Sequence, residues 1–139
     1  MIPLLFLAAA SADLDALDQA VAHCQRAQVN PMFAGEAARR SQFLLDAYHE
    51  QEAIVNDRLA LAEQRRALRE PTAGTAKTTP AEQKQLSKQL DLQQADLDDR
   101  QKALNDKRML EGIREDAMDS MRHYFLLNCP AGGGGEKAR

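Results

Sequence analysis

Residues 71–82 read "PTAGTAKTTPAE", and this stretch decides how the rest of the chain is arranged. Its first ten residues hold two prolines, one glycine and four threonines with no apolar periodicity, so they form a loop and no regular element. Pro71 stops any helix that reaches it, because the residue before a proline is pushed out of the α region. The second half of the stretch starts a new helix. Thr79 and Glu82 form a capping box, in which the hydroxyl accepts from the Glu82 N–H while the carboxylate accepts from the Thr79 N–H. Pro80 sits at the first helical position, where a missing N–H costs nothing.

Working outward from this loop (71–79), the spacing predicts a helix over 31–70 on one side and over 80–128 on the other. Asn30 and Pro31 read as the N-cap and first residue of the former; Pro130 and the glycines after it end the latter. Upstream, Leu14, Leu17, Val21 and Cys24 recur at three- and four-residue spacing, which predicts a short amphipathic helix over 13–28. The fold class that follows is all-α: an antiparallel two-helix, coiled-coil-like hairpin over 13–129 with a short N-terminal helix packed at its base. Residues 130–139 are a flexible glycine-rich tail.

Two helices joined by a short loop fold back antiparallel, and the leucines supply the register. Ala47, Ile54 and Leu61 lie seven apart, as do Leu90, Leu97 and Leu104. A single register sets Ala47 opposite Leu104, Ile54 opposite Leu97 and Leu61 opposite Leu90. Extended away from the loop, it brings Cys24 to Cys129, predicting a disulfide. The stretch "HYFLLNC", 123–129, is then the foot of the last helix, with Tyr124, Phe125 and Leu127 packed on Leu14, Leu17, Val21, Phe43 and Leu44. Closing a loop of about 100 residues stabilises by roughly 4 to 5 kcal/mol in the chain-entropy picture. The seam itself is thin, since Gln51, Arg58, Arg65, Gln93 and Arg100 occupy positions that a full heptad seam fills with apolar side chains.

Composition agrees with exposed helices. The 139 residues are 44% hydrophobic but only 4% aromatic, without tryptophan, and 28% charged. Acidic and basic residues are interleaved around a net charge of −3, which gives no field to attract nucleic acid. The opening "MIPLLFLAAASA", 1–12, reads as a signal peptide cleaved before Asp13, because Ala10-Ser11-Ala12 offers the small side chains a signal peptidase requires. It lacks the usual basic residue ahead of its apolar run and is too short to span a bilayer, so export to the periplasm or outside is expected, without stable membrane insertion.

Chemistry-bearing motifs are sparse. His49 begins a pattern like H-E-x-x-H, but Ala53 stands where the second histidine belongs. His23, Cys24, His123 and Cys129 would make a zinc-ligand set at the foot, an alternative that competes with the disulfide. Arg65, Arg66 and Arg69 have no aromatic neighbour to stack a base, and Asp96, Asp98 and Asp99 splay around a straight helix. No nucleophile, base or phosphate loop has a supporting context, so no enzyme activity and no cofactor are expected.

A second apolar stripe on the last helix runs through Leu92, Leu110, Ile113, Met121 and Tyr124, pointing away from the seam. This is the expected interaction face, for a protein partner or a second copy. In architecture the chain resembles the helical arms of the Skp (OmpH) family of periplasmic chaperones. That family adds a β-rich body for which this sequence has no strand signals, and its arms are strongly basic where these are mixed, so no residue role carries over. The expected function is non-catalytic protein–protein interaction or self-association in the cell envelope, with a holdase-like chaperone or adaptor as the alternative.

Overall fold

A computed structural model of the chain describes residues 5–70 and 78–131, with side chains from Asp13 onward. Those residues form three α-helices and no strand: α1 (Leu5–Ala22), α2 (Arg26–Arg69) and α3 (Pro80–Asn128). The fold is all-α, with α2 and α3 antiparallel and the short α1 packed against them. Residues 1–4, the loop from 71 to 77 and the tail from 132 lie outside the described residues, as do the side chains of 5–12, so the expected signal peptide at 1–12 falls largely outside what the side chains describe. The start of α3 has the capping box. The Thr79 N–H donates to Glu82 Oε2 at 2.7 Å, and the Glu82 N–H donates to Thr79 Oγ1 at 3.3 Å.

The junction between α1 and α2 differs from the expectation of helices over 13–28 and 31–70. α1 begins earlier and stops at Ala22, and α2 already begins at Arg26. Cys24 adopts φ 52°, in the left-handed region. Around it the Cys24 N–H bonds the Val21 carbonyl at 3.1 Å and the Gln25 N–H bonds the Ala20 carbonyl at 2.9 Å. This is a Schellman closure of α1, with a cysteine where glycine is usual. Pro31 is therefore inside α2, neither its first residue nor preceded by an N-cap. It removes one N–H bond near the helix start, and burial decides against that loss: Val29, two residues before it, is fully buried.

Packing divides the chain into two compact units. One, the middle unit, is Phe43–Met109, and the other, the terminal unit, joins the residues up to Gln42 to those from Leu110. In the middle unit the antiparallel sense is explicit, because partners on α3 fall in number as those on α2 rise: Gln51 with Gln101, Arg58 with Asp98, Arg65 with Asp91. All six seam residues are buried, in two clusters, Ala47, Ile54 and Leu104 with Phe43 against them, and Leu61, Leu90 and Leu97 with Leu68. Ala47 shares a cluster with Leu104 and Leu61 with Leu90, while Ile54 and Leu97 fall in different clusters. Side chains of antiparallel helices seat in the gaps between their neighbours, which staggers layers that simple pairing sets face to face.

In the terminal unit α1 buries Leu17, Ala20 and Val21 with Val29 of α2 and Met118, Phe125 and Cys129 around α3. Phe33 and Phe125 meet at 6.5 Å between ring centres, Arg26 stacks on Phe125 at 5.0 Å and Arg122 on Phe33 at 5.2 Å. Cys24 and Cys129 are joined, with Cα atoms 5.4 Å apart across 105 residues of sequence. Of the three foot residues expected inside, only Phe125 is buried. Tyr124 and Leu127 face solvent, Leu44 is exposed, and Phe43 packs in the middle unit instead. The inward positions of α3 here are 118, 121, 125 and 129, a three- and four-residue stripe that Tyr124 and Leu127 do not share.

Candidate interaction faces and the polar layer

Counted by sevens, the inner stripe of α3 runs Leu90, Leu97, Leu104, Glu111, Met118, Phe125, with a carboxylate in an otherwise apolar series. Glu111 is only 9% exposed, so its charge requires partners. Arg39 supplies them: its Nη1 donates to Glu111 Oε2 at 3.0 Å, its Nη2 pairs with Glu111 Oε1, and the same guanidinium donates to Glu36 Oε1 at 2.6 Å. Arg114 completes the layer through two bonds to Glu36 at 3.1 Å and one to Asp13 at 3.0 Å. Burial alone would raise the Glu36 carboxyl, but hydrogen bonds and charge from Arg39 and Arg114 outweigh it and hold the pKa down at about 2. Bonding to Glu36 raises both guanidiniums above their ordinary range, so Glu36, Arg39 and Arg114 keep their charges at any physiological pH.

This layer escapes a search for catalytic motifs. Two signals carry it: a glutamate seven residues after Leu104 and seven before Met118, and Glu36 three residues before Arg39 on the facing helix. Its charges satisfy one another, so each buried carboxylate has its compensating guanidinium. In the middle unit Arg100 is bonded by Glu50 at 3.0 Å and Asp57 at 2.8 Å, and the amides of Gln51 and Gln101 exchange two bonds. The adjoining groove, lined by Asp57, Ala60, Leu61, Leu92, Asp96 and Arg100, is shallow and open. Such a surface does not desolvate a reacting group.

The zinc-ligand set at the foot does not assemble: the cysteine sulfurs bind each other, and His23 and His123 are exposed. Among the described residues no group of three metal-ligating side chains converges. His49 is exposed on α2. Of the arginines, Arg65 pairs with Asp91 and Arg66 with Glu70, while Asp98 of the acidic run pairs with Arg58.

The apolar face expected on α3 is largely exposed: Leu92 in the middle unit, and Leu110, Ile113 and Tyr124 in the terminal unit. Met121 is partly buried against the terminal core. A second outer face, on α2, is absent from the expectation. Leu44, Leu45, Tyr48, Val55 and Leu59 all point to solvent there. Among the described residues no helix is long and apolar enough to cross a membrane. No protein-family model matches the chain, and no curated protein or solved structure is similar to it.

Proposed function

We propose that the chain is a non-catalytic helical hairpin of the cell envelope, exported through its N-terminal segment, that works by holding another protein or a second copy of itself. The observation that carries this reading is the set of large apolar side chains exposed on the outer faces of helices whose inner faces are already packed: Leu92, Leu110, Ile113 and Tyr124 on α3, and the stripe on α2. Apolar residues at helical spacing opposite a packed seam indicate a helix with a second neighbour. Export is supported by the Cys24–Cys129 bond, since such bonds persist in oxidising compartments. Placing a photo-crosslinking residue at Ile113, with Lys107 as a solvent-facing control, tests the reading in cells. Crosslinks to protein at 113 and not at 107 are expected; crosslinks at neither position would overturn it.

A holdase-like chaperone or adaptor is the second reading. It is favoured by the polar contacts that interrupt the middle seam, Gln51–Gln101 and Arg100 with its two carboxylates, which weaken apolar cohesion between the helices. Suppressed aggregation of an unfolded outer-membrane protein at equimolar ratio is the expected result for this reading, and no effect at excess removes it.

A further inference from the structure

Resting on the association reading above, we propose that the outer stripe of α2 in the middle unit is where a second copy of this chain packs, antiparallel, about a two-fold axis beside Gln51 and Glu52. Tyr48 and Val55 each follow a buried seam position, Ala47 or Ile54, by one residue, so they lie about 100° around the helix from the seam. The packed interior of the unit does not use them. Leu44, Tyr48, Val55 and Leu59 are separated by 4, 7 and 4 residues, the spacing of a helix-packing stripe.

That spacing reads the same in both directions, and this selects the partner. An antiparallel pairing with an identical stripe sets Leu44 against Leu59 and Tyr48 against Val55, then repeats both contacts with the copies exchanged. A two-fold interface needs this self-complementarity; a foreign partner does not. The area reaches the lower limit of what a dimer needs. With Leu45 at its edge the stripe leaves side chains 46–62% exposed, roughly 500 Å² on each copy. Burying all of it on two copies removes about 1,000 Å², the lower limit for a specific interface.

Light scattering of the full chain over a concentration series, with point variants, tests this. The wild type is expected to pass from monomer to dimer. Leu59→Glu and Tyr48→Glu are expected to raise the dissociation constant by roughly thirtyfold or more while leaving helical circular dichroism unchanged, because both side chains are exposed in the single chain. A chain that stays monomeric at the highest attainable concentration overturns the proposal. So does a dimer that tolerates Leu59→Glu and is lost in Ile113→Glu, an outcome that leaves the association reading standing and moves the contact to α3. Cysteine placement gives a second readout, independent of those variants' folding. Glu52→Cys, beside the axis, is expected to form covalent dimers on oxidation and Arg66→Cys is not; the opposite pattern overturns the placement.

Discussion

At Cys24 one residue carries two demands that conflict. Its backbone closes α1 in the left-handed region, at φ 52°, while its sulfur bonds Cys129. A side chain in that region costs about 1–2 kcal/mol relative to glycine, and glycine cannot supply a sulfur. With the bond removed, the conflict disappears. In a Cys129→Ser background, Cys24→Gly is expected to be more stable than Cys24→Ser by about 1 kcal/mol in urea unfolding. Glu36 is the other residue whose setting has a measurable consequence. Its pKa is lowered from 4.5 to about 2, so the native state holds its negative charge where the unfolded chain takes up a proton. The stabilisation is present above the unfolded value and is lost as pH falls from there toward about 2. Between neutral pH and about pH 2, the wild type is expected to lose up to about 3 kcal/mol more than Glu36→Gln. Equal slopes for the two proteins would show that the carboxylate is not held in this way.

At the scale of helices, an inner and an outer face of the same element have different energetic weight. Ile54 is fully buried, so Ile54→Ala removes apolar contact and leaves a cavity, with an expected loss of about 3 kcal/mol in urea unfolding. Leu92 is exposed, and Leu92→Ala is expected to change single-chain stability by less than about 0.5 kcal/mol. Both helices of the hairpin are legible in the sequence, because the loop chemistry, the capping box and the seven-residue leucine spacing are local signals that agree. What is not legible there depends on contacts distant in sequence. Nothing local ends α1 at Ala22, as the left-handed residue is not glycine. Nothing local starts α2 ahead of Pro31, as burial of Val29 against the terminal core decides it. Glu111 looks like a break in the inner stripe of α3 until Arg39 is seen to reach it across 72 residues. The outer stripe of α2 is hidden by its own seam, because a search for one apolar face stops when it finds Ala47, Ile54 and Leu61.

Over the whole molecule, the bond between Cys24 and Cys129 links positions 105 residues apart and restricts the unfolded chain far more than the folded one. Cys129→Ser is therefore expected to lower the melting temperature while leaving helical content at low temperature nearly unchanged, since the seam and the polar layer remain. The same bond ties structure to compartment: a thiol pair kept reduced would leave the hairpin without its closure and remove the chemical support for export. The most direct measurement is the intact mass of the chain recovered from whole cells after thiol alkylation without reductant. The expected result is a chain beginning at Asp13 with neither cysteine alkylated. A chain that begins at Met1 and carries two alkylated cysteines would contradict it.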